Sequence, residues 1–340
     1  MALAIEVKNL KKSYGDRLAV KDISFEVERG EIFGLLGPNG AGKTTIIRCL
    51  CTLSQLDGGR IEVCGVPVSQ PRAVRKRLGY VAQEVAIDKV LTGRELLNLQ
   101  AALYHLKGSA ARDRIDQLLD LLGLTEYADQ KSGTYSGGLR KRLDLAAGLL
   151  HQPDVLVLDE PTVGLDIETR RIVWDFLQRL REAGTTVLIT SHYLEEIDAL
   201  ANHLAIIDRG EVIATGSPAE LKARVGGERV SLKIREFTAL DEAEKAKDML
   251  LTLPFVEGVV VNTGQNNSLN LVVTANSNPL SQIEQTLAKE GLPIFSLAQS
   301  RPSLDDVYLA ATGQTIMDAE IAAANARDLK AEKKLQMKSS

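Results

Sequence analysis

Apolar and polar positions alternate at the start of the chain. Ile5-Glu-Val-Lys and Ile23-Ser-Phe-Glu-Val place apolar side chains two apart, the period of a strand with one face on a core and the other on water. Ile32-Phe-Gly-Leu-Leu is denser, which suits a strand covered on both faces. Residues 5–59 therefore predict an antiparallel edge and then a buried strand. From Gly93 to Leu122 the spacing turns helical, with Leu96, Leu97, Leu99 and Leu103, then Leu118, Leu119 and Leu122, predicting a helical insert over about 90–150. Val155-Leu-Val-Leu and Thr186-Val-Leu-Ile-Thr flank the helical segment Glu168 to Ala183, the order of a βαβ unit with buried parallel strands. The expected fold class is α/β.

The character changes at Gly226-Gly227. The pattern beyond predicts a strand (Val230 to Arg235), a helix (Leu240 to Leu251), two strands (Val256 to Val261, Ser268 to Thr274), a helix (Leu280 to Lys289) and a strand (Ile294 to Gln299). That is the split βαβ order of a ferredoxin-like α+β unit. Asn266, Asn267 and Asn276 read as turns, and nothing there suggests catalysis. Ile316 to Lys338 is rich in Ala, Glu, Asp and Lys and has little to bury, so an exposed tail, helical or disordered, is expected. The domain division is then 1–226, 228–313 and a tail over 314–340.

Composition narrows the function. The 340 residues are 44% hydrophobic and 25% charged with a net charge of −4, enough for a sizeable core and without the basic balance that phosphate neutralisation needs. No apolar run approaches the ~20 residues of a membrane span, and no basic leader precedes an apolar core, so the expected location is the cytosol. Cys49, Cys51 and Cys64 lack zinc spacing and read as reduced, structural thiols.

Three segments carry chemistry. Gly37-Pro38-Asn39-Gly40-Ala41-Gly42-Lys43-Thr44-Thr45 follows an apolar strand and precedes a helical stretch, the context in which Gly-x4-Gly-Lys-Thr binds phosphates. Its amides and helix N-terminus cradle the anion, Lys43 reaches the β- and γ-phosphates, and the Thr44 hydroxyl suits Mg²⁺. Val155 to Glu160 ends a strand in two carboxylates: Asp159 to hold the metal shell, and Glu160 to polarise water for attack on a γ-phosphate. Tyr135-Ser136-Gly137-Gly138 precedes an amphipathic helix, and Ser136 there suits a plain N-cap and an anion site equally.

The set Ser-Gly-Gly-Leu-Arg-Lys-Arg, Leu-Asp-Glu-Pro-Thr, the glycine loop upstream and Ser191-His192 downstream resembles the ABC ATPase family over roughly residues 3–226. The resemblance implies that Tyr14 stacks on adenine and that Gln83 touches Mg²⁺ and senses a membrane partner. It implies that Asp166 communicates across a dimer and that His192 is the γ-phosphate switch. Tyr135, where leucine is more usual, and Pro302-Ser-Leu-Asp-Asp-Val-Tyr-Leu-Ala-Ala-Thr-Gly313 are similar to the daunorubicin-resistance branch of exporter ATPases. That branch implies two ATP molecules sandwiched between two such subunits, each contacted by Ser136 of the opposite one, beneath permease subunits that are separate chains docked near Gln83 and residues 85–106. A soluble ABC ATPase acting on nucleic acid or ribosomes is the alternative, opposed by the single uninterrupted unit and the acidic balance. A P-loop kinase or GTPase would have no use for Ser136-Gly-Gly or His192.

Overall fold

The computed structural model describes residues 2–85, 87–274 and 278–323. Asn276 and the tail from 324 onward lie outside the described residues. The chain forms two compact units, the first ending at Ser217 and the second beginning at Pro218.

In the first unit, an antiparallel sheet takes the order Arg17–Glu28, Leu3–Tyr14, Gly58–Val63, Val66–Pro67. The alternation at Ile5, Val7, Ile23, Phe25 and Val27 puts these side chains into one core with the helix Lys43–Leu50. The ladder slips at Asn9, whose φ is 49°. Opposite it Gly59 has no room for a side chain, since a Cβ would lie 2.2 Å from the Asn9 carbonyl oxygen.

The second sheet runs Glu211–Gly216, His203–Asp208, Ile32–Leu36, Thr186–Ser191, Val155–Asp159, Leu78–Val81. All neighbours are parallel except the first pair. Every residue of Ile32–Leu36, Val155–Asp159 and Thr186–Ser191 is buried, the physical meaning of their unbroken apolar runs. The helical insert comprises Gly93–Leu103 and Gly108–Leu121, which pack on each other and on Gly137–Leu149. A capping box formed by Thr92 and Glu95 starts the first of these helices.

The second unit is ferredoxin-like α+β. Its sheet order is Val256–Asn262, Ser268–Val273, Glu228–Lys233, Ser296–Ser300, antiparallel throughout. Helices Leu240–Leu250 and Pro279–Lys289 cover one face through Ala243, Ala246, Leu250, Ile283 and Leu287. Pro218–Val225 packs on Leu304–Thr312, the helix of the closing motif. Residues 316–323 are helical, one of the two expected forms, but where an exposed segment was expected they bury Ile316 and Ala319 and leave Met317 and Ile321 in solvent.

Candidate functional site

Four neighbouring parallel strands end side by side, and a candidate group follows each end: Gly37 after Leu36, His192 after Ser191, Glu160 after Asp159, and Gln83 just past Val81. Polar residues at this rim face a crevice and not the core, which is where open α/β sheets place ligands.

Close approach shapes the glycine loop. At Gly37 a Cβ would lie 2.1 Å from the Ile207 carbonyl oxygen, and Gly42, with φ 118°, turns the chain into the helix Lys43–Leu50. The Ala41 amide donates to the Pro38 carbonyl at 3.2 Å, and the Gly210 amide donates to the Ala41 carbonyl at 2.8 Å, so the loop is held at both levels. Lys43 is 5% exposed. Its Nζ donates to the carbonyls of Gly37 and Pro38 and lies 3.8 Å from Glu160 Oε1.

The carboxylates are organised by one threonine. Thr190 Oγ1 donates to Asp159 Oδ1 at 2.7 Å and accepts from the Glu160 amide at 3.0 Å. Glu160 sits at φ 47°, a strained conformation for a side-chain-bearing residue that this amide contact helps to hold. Gln83 Nε2 donates to Glu160 Oε2 at 3.0 Å, and His192 Nδ1 is 3.3 Å from Oε1. Burial pushes the Glu160 carboxyl up, but the His192 hydrogen bond and the Lys43 charge outweigh it and leave the group below the usual carboxylate range. Asp159 goes the other way: burial raises it, against the Thr190 and Thr44 hydroxyls.

Thr44 Oγ1 donates to Asp159 Oδ1 at 3.5 Å, which places a hydroxyl and a carboxylate together beside Gln83. That donor set fits Mg²⁺, a hard cation that takes one or two protein oxygens and keeps phosphate oxygens and waters for the rest of its shell. A cavity of about 250 Å³ is lined by Tyr14, Asn39, Gly40, Gly42, Lys43, Thr44, Thr45, Gln83 and Glu160, together with Arg17 and Ala19. Tyr14 is 47% exposed at its edge, with Lys12 Nζ 5.5 Å from the ring centre.

Ser136, Gly137, Gly138 and Asp166 do not line this cavity. Ser136 caps Gly137–Leu149, its Oγ accepting from the Leu139 amide at 3.2 Å. The two glycines have different reasons. A Cβ on Gly138 would lie 2.8 Å from Thr169 Cγ2, whereas one on Gly137 would meet nothing within 4 Å. Asp166 caps Ile167–Glu182, accepting from the Thr169 amide at 2.8 Å and the Thr169 hydroxyl at 2.9 Å, and that amide holds its carboxyl low. Thr169 thus links Asp166 to Gly138. Cys49 and Cys51 are buried away from solvent, and burial pushes both thiols up.

Sequence reading missed Thr190, Arg17 and Ala19. Thr190 had no signal in the sequence, because it comes beside Asp159 only through the register of the parallel ladder.

The ABC transporter family profile matches residues 20–163, and the profile described as "ATP-binding protein DrrA1-3-like, C-terminal domain" matches 216–312. The chain is 44% identical over 311 residues to daunorubicin resistance ATP-binding protein DrrA3 of Streptomyces coeruleorubidus, covering 91% of this chain and 96% of that one. To DrrA2 of the same organism it is 42% identical over 318 residues, covering 93% and 97%. Among solved structures, cbiO1 from Clostridium perfringens, part of the ABC transporter complex cbiONQ, superposes with a TM-score of 0.61 at 25% identity, covering 75% of this chain and 97% of that one. Two profiles in tandem, and relatives of this identity spanning nearly its whole length, show that the chain belongs to the ABC transporter family as an ATP-binding subunit with a DrrA1-3-like C-terminal domain.

Proposed function

We propose that this chain is the ATP-hydrolysing subunit of an ABC exporter, working as a pair on the cytoplasmic face of a membrane beneath a separate permease. One observation carries the reading: the glycine loop, Gln83, Glu160 and His192 follow the ends of four adjacent parallel strands and meet around Glu160. In this reading Lys43 and the loop amides bind the β- and γ-phosphates, while Tyr14 at the cavity edge takes the adenine. Thr44, Asp159 and Gln83 would hold Mg²⁺, which supplies charge neutralisation on the phosphates. Glu160, ionised at neutral pH, orients the attacking water, and Gln83 and His192 fix its carboxylate.

The pairing is supported by Gly137. Neither its φ nor its packing demands glycine, so a close approach by the phosphates held in a second copy explains it, with the Ser136 cap and helix N-terminus turned to the same use. ATP then favours the closed pair through its γ-phosphate, and hydrolysis removes that preference. For the permease, Val85, Val90, Leu99, Leu103 and Tyr104 expose apolar surface along the loop after Gln83 and the first insert helix. Among the described residues no helix is long and apolar enough to cross a membrane. Relatives named for daunorubicin resistance make an amphipathic drug-like molecule the first class of cargo to test.

The decisive experiment is Glu160→Gln. It is expected to bind ATP with ordinary affinity, lose about 100-fold or more of steady-state ATPase activity, and accumulate as a dimer in light scattering at saturating ATP. Undiminished hydrolysis would remove Glu160 from the role given to it.

A further inference from the structure

A buried lysine joins two parts of the site that the sequence keeps 59 positions apart. Lys141 lies on the helix Gly137–Leu149 and is 4% exposed. Its Nζ donates to the Ala82 carbonyl at 2.8 Å. The next residue is Gln83, whose Nε2 donates to Glu160 Oε2 at 3.0 Å.

Packing alone would not select lysine here. A buried ammonium costs several kcal/mol unless it is hydrogen-bonded, and methionine would fill the same space without that cost. Burial does push the Lys141 ammonium down, against the attraction of Asp144 and Asp159. What lysine adds is a directed donor at the end of its stem.

The same helix is fastened to the same strand at a second point. A Cβ on Gly79 would lie 2.3 Å from the Gly148 carbonyl oxygen, and one on Gly148 would lie 2.9 Å from Val81 Cγ2. At Gly79 backbone meets backbone, so the helix and the strand Leu78–Val81 pack with no side chain between them at that point. Past Val81 the chain leaves the sheet, and Lys141 holds the residue between strand and Gln83. Lys141 and Gln83 also line one cavity of about 330 Å³ together with Gly137.

We propose that Lys141 is a positioning residue that sets the Gln83 carboxamide against Glu160 and ties that setting to the helix beginning at Ser136. Any displacement of that helix on pairing then reaches the catalytic carboxylate through Ala82 and Gln83. The inference rests on the reading of Glu160 and Gln83 as parts of the hydrolytic site.

The test is a double-mutant cycle on the full-length chain with Lys141→Met and Gln83→Ala, reading the ATP dissociation constant, KM, kcat and the melting temperature. Lys141→Met keeps the apolar stem and is expected to bind ATP as the parent does while kcat falls about ten-fold, the scale of one charge-assisted hydrogen bond. Lys141→Arg, which retains a donor, is expected to keep most of the parental kcat. In the Gln83→Ala background Lys141→Met should lower kcat no further, because the proposed route runs through Gln83 and not through the charge on Asp159. Multiplicative losses in the double variant, or a Lys141→Met enzyme with parental kcat, would overturn the proposal while leaving the hydrolytic site intact. A Gln83→Ala enzyme with parental kcat would instead sink the site reading, and the Lys141 role with it. A variant that fails to fold shows itself in the melting temperature, and Lys141→Arg then carries the comparison: parental kcat supports the donor role, and a ten-fold loss overturns it.

Discussion

At the scale of single residues, the site depends on carboxylates pushed in opposite directions by their surroundings. Glu160 is kept ionised by its donors, Asp159 is raised by burial, and a third carboxyl, Asp144, is pushed up to about 6 by burial with Lys141 opposing. Asp144 yields a prediction about stability. Below its ordinary value of 3.8 it is protonated in the folded and the unfolded chain alike. Between 3.8 and about 6 the folded chain keeps a proton that the unfolded chain has released, so stability declines as pH rises through that window and the whole loss is present above it. Asp144→Asn removes this dependence. Its urea-unfolding free energy relative to the parent should improve by on the order of 2 kcal/mol between pH 4 and pH 8. A difference that stays constant across that range would show that Asp144 does not titrate there.

At the scale of elements, Tyr135, which departs from the usual family pattern, has a packing role of its own. Its ring is buried edge-on to Tyr127 at 6.3 Å, and its hydroxyl donates to the Tyr127 carbonyl, so it anchors the insert ahead of Ser136. The hydroxyl also occupies the space where a Cβ on Gly93 would lie, 2.5 Å away. Gly93→Ala should therefore destabilise the insert by about 1–3 kcal/mol, as overpacking does. Adding Tyr135→Phe should return part of the lost melting temperature, and additive losses in the double variant would show that the two positions are not in conflict. Such pairs were closed to sequence reading. The three motif segments were legible because each is a short local pattern, and Ile32–Leu36 or Thr186–Ser191 because burial on both faces leaves a largely apolar run. The contacts that assemble them are not local: Thr190 reaches Glu160 across 30 positions and Lys141 reaches Ala82 across 59. Element ends were harder still. The pattern carries the last strand back to Ile294 whereas the strand begins at Ser296, and Leu3–Tyr14 extends well past its alternating stretch because its partner strands, not its own pattern, continue it.

At the scale of the whole molecule, the order of elements after Gly227 was readable even where their ends were not, since a split βαβ unit is defined by sequence of strands and helices. The glycine pair itself proves to be a turn, with φ of 63° and 59°, between Pro218–Val225 and Glu228–Lys233. The compact unit starts earlier, at Pro218. Its first helix is not a free linker. Leu221 is 1% exposed and the helix packs on Leu304–Thr312. Arg229, 5% exposed, donates to the Val225 carbonyl at 3.1 Å and pairs with Asp306 at 3.3 Å, joining the helix end to the closing motif. Where the chain is cut then matters. A fragment ending at Ser217 should melt cooperatively and bind ATP, because every strand and helix of the phosphate site lies within it. A fragment ending at Val225 keeps a helix stripped of its partner, with Pro218 and Leu221 turned out to water, and should scatter more light on heating than the shorter one. If the fragment to Ser217 fails to fold while the fragment to Val225 folds and binds ATP, then Pro218–Val225 belongs to the nucleotide-binding unit. If both fold alike and the shorter one still pairs at saturating ATP, the second unit is not what holds the proposed pair together.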